Sequence, residues 1–130
     1  MEVVTRAHPW YTVLPLTTIL VYLLTLTGFW QLIFGAGLIA GILMKRPWAS
    51  FAVGLLGGSV AWGLPLVIAS RYYPLEDVAT LLLEIIGLPS SLTFLPYAGA
   101  VIIAAITTAL GALLGAYVYT LVEEMRTEMR

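Results

Sequence analysis

The chain has 130 residues, of which 61% are hydrophobic and 10% charged, with a formal net charge of -1. Soluble domains are about half apolar and about a quarter charged, so this balance excludes an ordinary water-soluble globule and indicates one unit held in lipid. The small net charge, with no basic run longer than Lys45-Arg46, argues against a nucleic-acid or polyanionic partner, and the absence of cysteine removes disulfides, thiolate metal sites and iron–sulfur ligation.

The first apolar span is expected over 12–29, with Trp10 and Tyr11 flanking one end and Phe29 and Trp30 the other. About twenty helical residues rise about 30 Å, the thickness of a hydrocarbon core, so Trp10 and Trp30 mark opposite interfaces. Pro15 is placed in the first turn, where its missing N–H costs little. A turn over 28–31 leads into a second span over 30–44, short for a full crossing. Lys45, Arg46 and Pro47 end it, because charge and the restriction on a residue before proline both break the helix. The third span covers 48–70 and is expected to bend at Pro65, beside Gly63. Arg71, Tyr72, Tyr73 and Pro74 close it.

Residues 75–88 are too few for an ordinary crossing and read as an amphipathic interfacial or re-entrant helix, with Glu76, Thr80 and Glu84 on one face. After a turn at Pro89, Ser90 and Ser91, the fourth span covers 92–122 and a helical cytoplasmic tail covers 123–130. The expected fold is therefore an all-α integral membrane protein with about four transmembrane helices and one lateral helix.

Basic residues set the orientation, since cytoplasmic loops collect Lys and Arg. If the lateral helix does not cross, Arg6, Lys45, Arg46, Arg126 and Arg130 lie inside and only Arg71 lies outside. If it crosses, the basic residues divide evenly. The first arrangement is expected, giving a multi-pass plasma-membrane protein with both termini cytoplasmic. Glu2, Arg6, His8 and Pro9 precede the first span without a small-residue cleavage site, so no cleavable signal peptide is expected. The lack of asparagine, with one glutamine (Gln31) and one lysine (Lys45), fits a thermophilic source.

Small residues at helical spacing are the strongest local signal. Gly37 and Gly41, Gly54 and Gly58, and Gly111 and Gly115 each form a G-x-x-x-G in a different span. Close backbone approach drives helix association where lipid removes the hydrophobic drive. These faces meet either within one chain or between subunits, and four short helices with little internal core favour an oligomer.

A speculative polar or ion site comprises Arg71, Glu76, Asp77 and Glu84. Glu84 is singled out because a dipping lateral helix would desolvate its carboxylate. Thr17, Thr18, Thr25, Ser59, Thr107 and Thr108 either line a narrow polar path or satisfy carbonyls one turn back and bridge neighbouring helices. His8, the only histidine, cannot pair with another in the chain to hold haem, and no cofactor or metal site is expected. One aspartate and no nucleophile–base pair argue against an enzyme.

In size and span count the chain resembles fluoride channels and small multidrug exporters. It has no asparagine and no charge in the first span, so no residue of either family carries over. The expected function is a non-catalytic subunit that packs with itself or with another membrane protein in the bilayer. The alternative is a small homo-oligomeric channel or transporter for an ion or small solute, with the acids of 71–84 at its outer mouth.

Overall fold

A computed structural model describes residues 9–130; Glu2, Arg6 and His8 lie outside them. Five α-helices follow in order: α1 (Trp10–Leu26), α2 (Leu32–Met44), α3 (Pro47–Tyr72), α4 (Leu75–Ile86) and α5 (Phe94–Glu128), with one 3₁₀ turn over Ser90–Leu92. No strand occurs among the described residues. Two helical stretches, Pro47–Tyr72 and Ser90–Glu128, are long and apolar enough to cross a membrane; α1 and α2 are apolar but shorter.

Local chemistry accounts for the boundaries. Pro9 is extended and its carbonyl accepts the first helical bond, from the Val13 N–H. Because α1 begins at Trp10, Pro15 is its sixth residue rather than a first-turn residue, and it leaves the Tyr11 carbonyl without its helical donor. Gly28, at φ +82°, makes the reversal into α2, a conformation side chains resist.

The α2–α3 corner is only two residues long. Lys45 takes the left-handed conformation (φ 61°) and its N–H returns to the Gly41 carbonyl at 2.9 Å. Arg46 is extended, as the residue before proline must be, and Pro47 opens α3 where no N–H is needed. Ser50 donates both its N–H (2.8 Å) and its hydroxyl (2.6 Å) to the Arg46 carbonyl. Pro65 does not interrupt α3, which runs unbroken through it.

The Gly87 turn ends α4 two residues before the expected limit. At φ +85° it lets the Leu88 N–H reach the Leu83 carbonyl (2.8 Å) and its own N–H reach Glu84 (3.1 Å), a paired cap of the Schellman type.

Helix α5 is the hub. It runs parallel to α2, with Gly37 against Thr108 and Gly41 against Ala112, and antiparallel to α3, with Gly58 against Ala104 and Gly54 against Ala109. Helix α1 lies along α3 and α2, with Val13, Ala40, Met44, Val53 and Ala112 clustering towards one end and Val21, Ile33, Ala36 and Ala61 towards the other. The α1–α2 hairpin is short: Trp62 of α3 bonds Thr25 near the end of α1, so α3 continues about 15 Å beyond that bond. Helix α4 packs on the part of α3 and α5 that rises above the hairpin, turning only Ala79 and Leu83 fully inward.

Candidate functional site

The glycine faces come together around α5. A methyl group on Gly54 would lie 2.8 Å from both the Ala109 Cα and the Thr108 carbonyl oxygen, and one on Gly58 would lie 2.7 Å from the Ala104 carbonyl oxygen. Gly41 faces the Ala112 carbonyl, and a methyl there would lie 2.8 Å from the Ala116 nitrogen. From the other side, Gly111 faces the Phe34 carbonyl and Gly115 the Leu38 carbonyl. All six glycines therefore meet backbone from another helix of the same chain. Attraction there comes from dispersion and close dipoles, and any side chain at these positions would force the helices apart.

Most leucines and isoleucines take the opposite position, with Ile33 and Leu83 as buried exceptions. Ile39 and Ile42 on α2, and Ile102, Ile103, Ile106, Leu110 and Leu114 on α5, are exposed. Aromatic rings gather at the helix ends, with Trp10, Tyr11 and Trp48 near one level and Phe29, Trp30, Tyr72, Tyr73 and Phe94 towards the other. An exposed apolar surface this continuous fits contact with lipid or another protein, not water.

Five of the six span hydroxyls are turned back onto their own helices; the sixth, on the half-buried Thr107 of α5, makes no hydrogen bond among the described residues. Thr17 donates to Val13 (2.7 Å), Thr18 to Leu14 (2.9 Å), Thr25 to Val21 (2.8 Å), Ser59 to Leu55 (2.7 Å) and Thr108 to Ala104 (2.8 Å). Thr25 also accepts from the Trp62 indole N–H at 3.1 Å, tying α1 to α3. These bonds occupy five hydroxyl protons and leave the oxygens their acceptor capacity.

The acids of the lateral helix do not converge. Glu76 and Asp77 stand in the first turn of α4, and Arg71, Glu76, Asp77 and Glu84 are all exposed. No ion pair joins Arg71 to Glu76 or Asp77 among the described residues. Glu84 lies on the outer side of α4, while Ala79 and Leu83 make the inward turn. No group of three or more His, Cys, Asp or Glu side chains is placed to share a metal ion among the described residues.

Two features were not apparent in the sequence. Lys45 carries its ammonium 4.6 Å from the centre of the Tyr119 ring, fixing the α2–α3 corner against α5. Tyr97 turns its hydroxyl into a buried position beneath α4 with no hydrogen-bond partner. Lys45 and Tyr119 lie far apart in the chain, and tyrosines near a span end read simply as interfacial.

The arrangement defines an all-helical protein with two helices able to cross a membrane and an internal seam of small residues. Comparisons of the chain with family profiles, with curated proteins and with solved structures find no match.

Proposed function

We propose that the chain is a multi-pass plasma-membrane protein that crosses four times with both termini cytoplasmic and serves as a non-catalytic assembly subunit. The observation carrying this reading is the inverted surface. Glycine and alanine fill the closest contacts between helices, five of the six span hydroxyls bond their own helices, and most leucines and isoleucines face outward. A pore formed by several copies would need a polar stripe on an outward face. The outward stripe of α5 is instead Ile102, Ile103, Ile106, Leu110 and Leu114.

The glycine faces are occupied within the chain, so contacts with a second copy or another subunit fall to the remaining surfaces. Helix α4 offers one: Val78, Leu81, Leu82, Ile85 and Ile86 lie at helical spacing and are exposed, Ile85 by 75%. The end of α5 offers the other. With Lys45 stacked on Tyr119, the nine residues 120–128 extend about 13 Å past the corner. Helices α1 and α2, at about 26 Å and about 20 Å, cross where the bilayer thins around the hairpin.

The absence of cysteine makes the test direct. Single variants Ile85→Cys and Thr127→Cys are exposed in intact cells to a membrane-impermeant maleimide and then to a bifunctional thiol reagent. Labelling of position 85 but not 127 in intact cells supports the orientation. A cross-linked species through position 85, with self or with a second protein, supports assembly. Release of the protein in the soluble fraction overturns the membrane reading.

A further inference from the structure

Where α1 and α3 begin, the two helices and the end of α2 border an open groove of about 460 Å³. Leu14 of α1, Met44 of α2 and Ala49, Val53 and Leu56 of α3 make its walls. Trp10 and Arg46 stand at its mouth, and Arg46 is the only charged side chain lining it among the described residues. From Arg46 to Leu56 the chain rises about 15 Å, half the thickness of a hydrocarbon core. The groove is therefore as long as one leaflet is deep, and its polar end lies at the level marked by the exposed Trp10 and Trp48.

The mouth is electropositive, and its carbonyls are already taken. The Arg46 guanidinium is exposed and makes no ion pair among the described residues, so its N–H groups are available. Helices α1 and α3 both start here with neither a capping side chain nor an acid in the first turn, which leaves two positive helix ends uncompensated. The Pro9 carbonyl accepts from the Thr12 hydroxyl and the Val13 N–H, and the Arg46 carbonyl from the Ser50 N–H and hydroxyl. An anionic head meets donors at this mouth, whereas a cationic head is opposed by the guanidinium and by both helix ends.

We infer that the groove binds one net-anionic phospholipid of the cytoplasmic leaflet, its phosphate on Arg46 and one acyl chain along Leu14, Val53 and Leu56. A soluble anion would satisfy the mouth and leave the apolar walls bare; a phospholipid covers both along the depth of its leaflet. Guanidinium and phosphate pair through two parallel N–H···O bonds, which fixes the head, while the neighbouring Lys45 lies over the Tyr119 ring. The inference rests on the reading that the chain lies in a bilayer with this corner at the cytoplasmic face, where anionic lipids gather.

The test titrates the full chain, in neutral maltoside micelles, with dioleoyl phosphatidylglycerol and separately with dioleoyl phosphatidylcholine, which share tails and differ in net charge. Native mass spectrometry counts the bound lipid. The first phosphatidylglycerol is expected to bind at roughly tenfold lower concentration than phosphatidylcholine, as a charge-assisted bidentate pair requires. Arg46→Gln should erase that preference. Arg126→Gln removes a cation near the same end of the bundle but outside the groove, and should leave the preference intact. Ala52→Trp fills the groove from its exposed wall and should weaken both lipids about fivefold by excluding the tail. Arg46 lies between two helices with its side chain exposed, and circular dichroism checks that the helices persist in every variant.

Equal binding of the two lipids, a preference that survives Arg46→Gln, or one lost equally in Arg126→Gln overturns the site. Undiminished binding in Ala52→Trp places the lipid outside the groove and overturns it as well. Any of these results in protein still held in micelles leaves the membrane reading standing, since that reading fails only on recovery of the chain in the soluble fraction.

Discussion

In the seam between α2, α3 and α5, Gly41 lies against the Ala112 carbonyl and a methyl on Gly54 would lie 2.8 Å from the Ala109 Cα. On the shoulder formed by α4, only Ala79 and Leu83 are buried, and Ile85 and Ile86 remain 75% and 69% exposed. The seam brings backbones together by omitting side chains; the shoulder is held by one leucine, one alanine and a glycine cap. The contrast teaches that the closest contacts in this chain are made by its smallest residues, while larger buried side chains such as Val21 and Ile33 fill the space beside α1.

Four substitutions break or sharpen that comparison. The largest effect is expected in the seam: Gly41→Ala forces a methyl into the Ala112 carbonyl, and overpacking of this kind costs about 3 kcal/mol. Unfolding in graded denaturing detergent should register it as a large shift in midpoint; an unchanged midpoint would mean that α2 and α5 do not touch there. On the shoulder, Leu83→Ala removes the only large side chain α4 buries completely, a loss of about 2 kcal/mol. Because α4 makes few other contacts, hydrogen exchange should accelerate within 75–86 and stay unchanged in α2 and α5.

Two smaller effects refine the picture. Gly35 sits two residues from Gly37, yet a methyl there would meet nothing within 4 Å. Gly35→Ala should therefore stabilise by about 0.5 kcal/mol through helix propensity, opposite in sign to Gly41→Ala in the same detergent titration. Trp62→Phe deletes the 3.1 Å bond to Thr25 and should cost about 0.6 kcal/mol beyond any packing change. A double-mutant cycle with Thr25→Val isolates that coupling, and a coupling of zero would show that the bond contributes nothing.

The α2–α3 corner was legible because Lys45, Arg46 and Pro47 each oppose a continuing helix for a separate physical reason. The small-residue faces were legible as faces, since G-x-x-x-G spacing places both glycines on one side. Their partners were not. Three such stripes are chemically alike, and pairing depends on which helices the connections allow to lie side by side. Helix α4 was legible as amphipathic, but Glu84 drew attention that the geometry gives to Ala79 and Leu83. The groove beside Arg46 escaped notice because it exists only once α1 and α3 lie side by side, bringing Arg46 to a tryptophan 36 positions away. Pro15 was misplaced by two residues because Trp10 and Tyr11 read as flanks and are in fact the first turn of α1.

The position of the hub within the chain has a consequence for biogenesis. Helix α5 is synthesised after every helix it joins, so while the ribosome is still translating 94–128, Gly37, Gly41, Gly54 and Gly58 have no α5 backbone to meet. The nascent protein passes through an interval in which two small-residue grooves stand open to any neighbouring helix with a matching stripe. Premature termination before α5 would make that interval permanent and turn a self-contained bundle into a fragment prone to mispairing.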